Sequence, residues 1–344
     1  MDVLAPMAEP ALDALMARGA AFLGTRYAIL GGAMSWVSER NLVAALSNAG
    51  AFGVIACGAM MPDRLAEEIA ATQALTDKPF GVNLITMHPN LMELVQVCLE
   101  AKVGHIVFAG GIPPGPAIKA AKEGGAKVIC FAPALALAKK LVRSGADALV
   151  IEGSEAGGHI GPVSLTVLAQ EILPHIRDVP VYVAGGIGRG EAILSYLEMG
   201  AAGVQIGTRF VCATECVAHP NFKRAFIRGA ARDALPTVQL DESFPVIPVR
   251  ALQNEGTKRF LEHQAGVLRR FKAGEVAKDA GQLEIEHFWA GALRRAVVDG
   301  DVENGSLMAG QSVGMVTKEQ PAAEIIAELL AQAAAALTAR RAGA

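Results

Sequence analysis

Eight short apolar runs recur between residues 27 and 207, and a stretch with helical spacing follows each run. Each run ends at a glycine or a polar residue, and this strand–helix alternation predicts a parallel sheet. Val128–Phe131 is apolar throughout, as expected of a strand covered on both faces. The predicted strands are Tyr27–Gly31, Phe52–Ala56, Phe80–Leu84, His105–Ala109, Lys127–Phe131, Ala148–Glu152, Val181–Ala184 and Gly203–Gly207.

Eight such repeats predict a sheet that closes on itself, an α/β fold of the (β/α)8 TIM-barrel type, with an open doubly wound sheet as the rival topology. The alternation stops after Arg209. We therefore predict three regions. Residues 1–214 form the barrel with an N-terminal helical extension, residues 215–304 form a helical insert or cap, and residues 305–344 return to the barrel and end in a helix.

The composition narrows the classes of function. Hydrophobic residues make up 52% of the chain and charged residues 19%, which is enough for a large core. A net charge of −3 gives no electrostatic case for nucleic acid. The five cysteines lack metal-ligand spacing, so we expect reduced thiols, no metal and a cytoplasmic location. No signal peptide or membrane-spanning run is evident.

Glycines follow the two strands where a barrel of this type commonly binds phosphate, the seventh and the eighth. Gly185 and Gly186 end the seventh strand, and Gly207 and Thr208 end the eighth. Glycine lets backbone amides approach a phosphate, and a helix N-terminus adds partial positive charge. The glycines could instead merely turn the chain. There is no GxxxxGK[ST] loop and no GxGxxG after the first strand, which disfavours a nucleotide triphosphatase and a Rossmann domain.

The loop after the sixth strand, residues 153–161, is nearly stripped of side chains around His159. An imidazole in such a loop at a barrel mouth can approach a ligand and titrates near neutral pH. His159 is therefore a candidate general acid or base, with a structural histidine as the alternative. We expect Glu152 to bond cofactor hydroxyls or to hold this loop.

Two further strand ends carry candidate residues. The small residues at 32–35 would let backbone atoms lie against a flat ring, with Met34 and Trp36 as apolar walls or simply as core filling. Asn83 lies in an apolar strand, where an unpaired amide costs roughly 1–3 kcal/mol. Its partner is either a cofactor ring atom or another part of the protein.

These motifs together resemble the flavin-dependent nitronate monooxygenase (formerly 2-nitropropane dioxygenase) superfamily, and most of all its enoyl-acyl-carrier-protein reductase II branch. The resemblance covers nearly the whole chain after about Tyr27, and the combination of motifs is specific although each alone is weak. The motifs are residues 32–37, 47–50, 78–83, 152–161, 184–187, 205–210 and 305–311.

The resemblance implies FMN, with its phosphate on Gly185, Gly186, Gly207 and Thr208 and its ring near the residues after the first and third strands. It implies His159 as the active-site histidine. The candidate cofactor-binding residues are Gly32, Ala33, Met34, Ser35, Asn83, Glu152, Gly158, Gly185, Gly186, Gln205, Gly207 and Thr208.

Two departures favour the reductase branch over the nitronate enzymes. The chain has Gly-Ala-Met-Ser-Trp where those enzymes tend to have Pro-Met-Ala, and Gly-Gly-His-Ile-Gly in place of Gly-Gly-His-Arg-Gly. The predicted reaction is reduction of a trans-2-enoyl thioester by NAD(P)H, with hydride passing through FMN N5 and His159 or a nearby donor polarising the carbonyl.

Other functions stay open at this point. The main alternative is a nitronate monooxygenase that oxidises alkyl nitronates with O₂ through FMN and needs no NAD(P)H. A flavin-free barrel, such as an aldolase or isomerase, or a phosphate-ligand binder is the third. The expected substrate is a small molecule or a thioester carried on acyl carrier protein. A homodimer and a monovalent-cation requirement are left open.

Overall fold

The computed structural model describes residues 10–342. Its strands are β1 (Ile29–Gly31), β2 (Gly53–Ala56), β3 (Phe80–Ile85), β4 (His105–Ala109), β5 (Lys127–Phe131), β6 (Ala148–Glu152), β7 (Gly158–His159), β8 (Val181–Ala184), β9 (Gly203–Ile206), β10 (Ala234–Pro236), β11 (Val249–Leu252) and β12 (Leu307–Met308). Its α-helices are α1 (Pro10–Leu23), α2 (Arg40–Asn48), α3 (Pro62–Leu75), α4 (Leu91–Glu100), α5 (Gly115–Glu123), α6 (Leu135–Arg143), α7 (Leu165–Ile172), α8 (Gly190–Glu198), α9 (Pro220–Arg228), α10 (Glu255–Lys272), α11 (Lys278–Val297) and α12 (Ala322–Ala342).

Eight parallel strands form a ring in the order β1-β9-β8-β6-β5-β4-β3-β2. A parallel bridge between Leu30 and Phe52 joins the last strand back to the first. The predicted TIM barrel is confirmed, and an open doubly wound sheet is excluded. Four predicted strands have the observed bounds, and the other four differ by at most two residues at one end.

Helix α1 closes the end of the barrel where the strands begin. The Phe22 ring packs edge-on against His105, with the ring centroids 5.4 Å apart. The Phe22 carbonyl lies 3.1 Å from His105 Nε2 and accepts a second hydrogen bond from Lys127 Nζ. The Tyr182 hydroxyl donates to the Gly19 carbonyl of α1 at 2.8 Å. The leading extension therefore seals the barrel floor opposite the mouth.

The region after β9 contains a small sheet that the sequence analysis did not predict. Strand β11 pairs antiparallel with β10, β12 and β7, and β7 belongs to the loop after β6. Helices α10 and α11 cover this sheet around the buried Phe260 and Trp289. These strands have only two to four residues, and Pro236 lies in one of them. They are too short to show the alternation of apolar and polar residues that predicts a strand. The insert is thus joined by its sheet to the barrel mouth.

Helix α12 is long and apolar enough to cross a membrane. In the fold its apolar side chains pack on the barrel, with Ile325, Ile326 and Leu329 buried. It approaches α8 so closely that any side chain at Gly190 would collide with its backbone. Helix α12 is therefore an outer helix of the barrel, partly buried in its core.

Acid should destabilise the protein through His105. Burial lowers the pKa of this imidazole from 6.5 to about 4. Between these values the unfolded chain binds a proton that the folded chain does not, so stability is complete above about pH 6.5 and is lost as the pH falls toward 4. The loss is at most roughly 3 kcal/mol.

The measurement is urea unfolding across this range. His105→Gln should flatten the pH dependence, whereas His175→Gln, at an exposed histidine, should leave it unchanged. Equal slopes for the wild type and His105→Gln would contradict the assignment.

Candidate functional site at the barrel mouth

Three polar side chains line the mouth end of the barrel interior. In neighbouring strands, Glu152 is in register with Ala184, and Ala184 with Gln205. Residues in register across parallel strands share one face of the sheet. Tyr182 lies two residues before Ala184 and contacts Phe22 of the floor, so this face is the interior. Asn83 lies on the same face at the end of β3. The predicted polar residues of three strands therefore surround one opening.

The loop after β8 presents backbone amides without acceptors. Among residues 10–342, the amide nitrogens of Gly185, Gly186 and Ile187 make no hydrogen bond. Gly185 and Gly186 have φ values of 99° and 70°, which favour glycine. A methyl group on Gly185 would lie 2.9 Å from the Gly153 carbonyl. The predicted glycines thus expose a run of donors at the mouth.

The end of β9 contributes a further donor, Thr208. We call the amides of residues 185–187 and the Thr208 hydroxyl the cradle. The Thr208 hydroxyl accepts a hydrogen bond from the Gly310 amide at 3.0 Å, which leaves its own hydrogen free to donate. The first amide of α8, on Gly190, donates instead to Gln332 Oε1 at 2.9 Å. The first amide of α8 is therefore taken by a protein side chain, whereas the loop amides before it have no acceptor among the described residues.

The segment after β12 packs against the cradle. A methyl group on Gly188 would lie 3.1 Å from the Ser312 side chain. Gln311 donates its backbone amide to the Glu155 carbonyl at 2.9 Å. Residues 310–312 therefore brace both the loop after β6 and the loop after β8. Sequence reasoning quoted this segment but assigned it no role, because its partners lie more than 100 residues away.

The loop after β1 lies against the end of β9. A methyl group on Gly32 would lie 3.5 Å from Gln205 Cγ, and one on Gly207 would lie 3.4 Å from Met34 Sδ. Ser38, which sequence reasoning missed, ties this loop: its hydroxyl donates to the Gly32 carbonyl and accepts from the Met34 amide. Gly32, Met34 and the β9 end are thus brought together.

Three other predicted residues lie in β3 or in the loop after β1. Asn83 donates to the Val107 carbonyl at 3.2 Å, so its NH₂ group has a structural partner while its oxygen makes no hydrogen bond. Ser35, in the loop after β1, lies beside Gly58, in the loop after β2. Ala33 is partly buried against the barrel core. Ser35 and Ala33 thus follow β1, next to β9, and Asn83 lies farther round the barrel in β3.

Trp36 marks a strained point of the loop after β1. It has a φ of 68°, a conformation that L side chains rarely adopt and that costs of order 1–3 kcal/mol. Its ring is about half exposed, and the Arg294 guanidinium of α11 lies 5.8 Å from the ring centroid. Trp36 is therefore not core filling but a contact between the mouth and the insert.

Glu152 has no hydrogen bond or ion pair among the described residues. Burial raises the pKa of its carboxyl group to about 8. A neutral carboxylic acid can donate one hydrogen bond and accept others. Gln205 is buried and likewise has no hydrogen-bond partner. Both side chains are thus available to polar groups of a ligand.

His159 lies on β7, beside the insert rather than deep in the barrel. Its ring nitrogen Nε2 is 2.8 Å from Glu286 Oε2 on α11. Gly158, with a φ of 78°, is buried next to Met308. Sequence reasoning missed Glu286, because 127 residues separate it from His159 and no motif surrounds it.

A buried arginine secures the loop that carries His159. Arg250 of β11 donates from Nε to the Ser154 carbonyl at 2.9 Å and from Nη1 to the Ala234 carbonyl. Arg250 forms no salt bridge within residues 10–342, and burial lowers the pKa of its guanidinium group. The insert therefore fixes the loop after β6 through a charged side chain as well as through its sheet. No pattern in the sequence indicated this residue.

The five cysteines are poor candidates for the chemistry. All are buried, and burial raises the pKa of each thiol, to about 11 for Cys57 and about 12 for Cys130. A thiol must ionise to act as a nucleophile. The described residues also contain no group of three or more His, Cys, Asp or Glu side chains placed to bind a metal.

The residues at the mouth fit FMN. Unbonded amides after β8 and the Thr208 hydroxyl match the acceptors of a phosphate. Glu152 and Gln205 offer unused polar groups that match ribityl hydroxyls. The small residues after β1 would suit a flat ring, and Gly32 lies against Gln205, where a methyl group would be in ordinary van der Waals contact.

The chain was compared with known proteins. The family model "Nitronate monooxygenase" matches residues 17–97 and 92–332. A Mycobacterium tuberculosis (3aS,4S,5R,7aS)-5-hydroxy-7a-methyl-1-oxo-octahydro-1H-indene-4-carboxyl-CoA dehydrogenase is 30% identical, with 90% of this chain and 94% of the relative covered. A nitronate monooxygenase from Paraburkholderia phytofirmans is 28% identical, with 89% and 92% covered.

Among solved structures, FabK from Thermotoga maritima superposes with a TM-score of 0.85 at 36% identity, covering 95% of this chain and 99% of FabK. A nitroalkane oxidase from Streptomyces ansochromogenes gives a TM-score of 0.75 at 27% identity, covering 91% and 97%. Both likenesses extend through the insert as well as the barrel.

Gly185→Ala should weaken flavin binding. At a φ of 99° a side chain is strained by about 1–3 kcal/mol, and the new methyl group would push the loop away from Gly153. Displaced amides should lower the affinity for FMN by about tenfold or more, measured by fluorescence titration of the apoprotein.

Gly104→Ala is the control for this substitution, since a methyl group there meets nothing within 4 Å. If Gly185→Ala lowers the unfolding temperature but leaves the affinity for FMN unchanged, the loop amides do not bind the phosphate.

Glu152 should make the apoprotein less stable at higher pH. The unfolded carboxyl group loses its proton near pH 4.5, whereas the folded one keeps it to about pH 8, so the free energy of unfolding decreases as the pH rises between these values. Glu152→Gln should remove this decrease, measured by denaturant unfolding, and Glu93→Gln at an exposed position should not. A decrease that persists in Glu152→Gln would contradict the raised pKa.

Proposed function

Because the chain belongs to the nitronate monooxygenase family of oxidoreductases, we propose that it binds FMN and reduces the carbon–carbon double bond of an enoyl thioester with electrons from NAD(P)H. The observation that carries the reductase assignment is the likeness to FabK, an enoyl-ACP reductase II, along 95% of the chain. A relative named as a carboxyl-CoA dehydrogenase also supports thioester chemistry. The acyl group would be carried on acyl carrier protein or coenzyme A.

The cofactor assignment rests on the mouth of the barrel. Gly185, Gly186 and Thr208 would bind the phosphate, since their donors have no other acceptor. Glu152 and Gln205 would bind the ribityl chain, and the loop at residues 32–35 would lie along the ring. Bound FMN would supply the capacity to accept a hydride from a nicotinamide and to pass it on.

The protein's own contribution to the reaction is orientation and a hydrogen bond. The loop after β6 carries His159 near the mouth, where sheet pairing and Arg250 fix its backbone. A thioester carbonyl gains negative charge when hydride adds to the β-carbon, and a hydrogen-bond donor at that oxygen lowers the barrier. His159 is the residue that we assign to this donation.

Oxidation of alkyl nitronates is the second candidate. The family model bears that name, and relatives named as nitronate monooxygenases cover most of the chain at 26–28% identity. The sequence after β1 and after β6 departs from the pattern typical of those enzymes, and for this reason we place this activity second.

Anaerobic reduction of the flavin separates the two. We expect NADH or NADPH to bleach the flavin absorbance of the purified holoprotein quickly, and crotonyl thioester to restore it. Bleaching by an alkyl nitronate alone, with none by either nicotinamide, would replace the reductase assignment with the second candidate.

His159→Ala tests the role of the histidine. We expect the protein to remain yellow, because the His159 imidazole makes no hydrogen bond to a cradle residue. We expect turnover with enoyl thioester to fall by on the order of 100-fold or more. The control is His175→Ala, at an exposed histidine on the barrel exterior. Loss of colour together with activity would mean that His159 serves cofactor binding instead.

A further inference from the structure

The carboxylate of Glu286 is the only hydrogen-bond partner of the His159 ring among the described residues. We propose that Glu286 is a positioning residue for His159: it holds the imidazole in the Nε2–H tautomer and so leaves Nδ1 as the ring nitrogen that meets the substrate. The catalytic part of this inference rests on the proposed function, whereas the tautomer does not.

The contact sets the tautomer because a carboxylate can only accept. The two atoms are 2.8 Å apart, a normal length for a hydrogen bond between an imidazole and a carboxylate. A neutral imidazole has one N–H and one acceptor nitrogen, so a carboxylate at Nε2 selects the form with its proton there. His159 Nδ1 makes no hydrogen bond to any described residue. Nδ1 is therefore the nitrogen that would take up a further proton, and in the protonated ring its N–H would donate to the thioester oxygen while Nε2–H stays on Glu286.

Helix α11 places Glu286 rigidly. Ile285 and Trp289, on either side of it in sequence, are buried in the core of the insert. Trp289 stacks on Phe260 of α10 with the ring centroids 4.1 Å apart. A carboxylate between two such anchors has little freedom to move along the helix. This distinguishes Glu286 from a flexible surface acid.

The same helix is held at a second point of the mouth. Arg294 lies eight residues after Glu286, about 12 Å along the helix and about 80° around its axis. Its guanidinium lies over Trp36, at the strained turn of the loop after β1. Helix α11 thus runs across the mouth from the loop after β1 to the loop after β6, and its position determines where the carboxylate lies.

The backbone of His159 is fixed independently of its side chain. His159 is in register with Val249 in the small sheet, and the amide of Ile160 donates to the Pro248 carbonyl at 2.9 Å. Loss of the Glu286 carboxylate should therefore free the ring without moving the loop. A purely structural ion pair between two half-exposed groups would contribute little stability and would not affect the tautomer.

The experiment reads the tautomer directly. Histidine-selective ¹⁵N labelling and long-range ¹H–¹⁵N correlation spectra, in alkaline buffer where an imidazole is neutral, distinguish Nε2–H from Nδ1–H. His159→Gln assigns the signal. The test variant is Glu286→Met, which keeps the length of the side chain and removes the acceptor. The matched control is Glu284→Gln, two residues away on α11, where the carboxylate bonds Arg270 instead. Apoprotein and FMN-loaded protein are both measured, with steady-state kinetics on the loaded form.

We expect the Nε2–H form in the wild type and in Glu284→Gln, and a shift toward Nδ1–H in Glu286→Met. We expect kcat in Glu286→Met to fall by on the order of 10- to 100-fold with KM little changed, and Glu286→Gln, whose amide oxygen can still accept, to recover part of it. An unchanged tautomer in Glu286→Met, or an equal loss of kcat in Glu284→Gln, would overturn the inference. Failure of NAD(P)H to bleach the flavin would overturn the proposed function and leave the tautomer result standing.

Discussion

The rest of the site depends on the hydrogen-bond donors at the ends of two adjacent barrel strands. These donors are the unbonded amides after β8 and the Thr208 hydroxyl after β9. Buried amides normally find an acceptor within the protein. Among residues 10–342 the amides of Ile187, which is buried, and of Gly185 and Gly186, which are partly buried, have no acceptor, whereas the neighbouring Gly190 amide donates to Gln332. The loop amides are therefore the donors that we propose for the phosphate. Positive φ angles explain why glycine occupies two of these positions.

The mouth is assembled from segments that are distant in sequence. Residues 310–312 brace the cradle from the end of the chain, and Arg250 and Glu286 reach the loop after β6 from the insert. The small sheet joins the insert to the barrel through β7 and β12. The floor is closed in the same way, because α1 places the Phe22 carbonyl over the first residues of β4 and β5. The barrel supplies the strand ends that we propose for the cofactor, and the added segments cover the loops next to them.

Much of this could be predicted from the sequence, for identifiable reasons. The bounds of four strands could be predicted because each is a mainly apolar run with a glycine, proline or polar residue close to each end; these are β4, β5, β6 and β8. Gly185 and Gly207 were predicted to bind phosphate because barrel phosphate sites occupy fixed strand ends, and that role stays a prediction. Strands β10 and β11 could not be predicted, since three or four residues carry no usable alternation. Glu286 could not be predicted as the partner of His159, because only the folding of a 90-residue insert brings the two residues together. The acceptor of the first α8 amide could not be predicted, because Gln332 lies 142 residues from Gly190.

The central claim is that loop amides bind the phosphate of the flavin, and the most direct test is to compare FMN with riboflavin, which lacks the phosphate. The apoprotein would be titrated with each, following flavin fluorescence at fixed ionic strength. The account predicts that FMN binds on the order of 100-fold more tightly, equivalent to one or two charge-assisted hydrogen bonds. Equal affinities would show that the phosphate makes no contact with the cradle and would contradict the account.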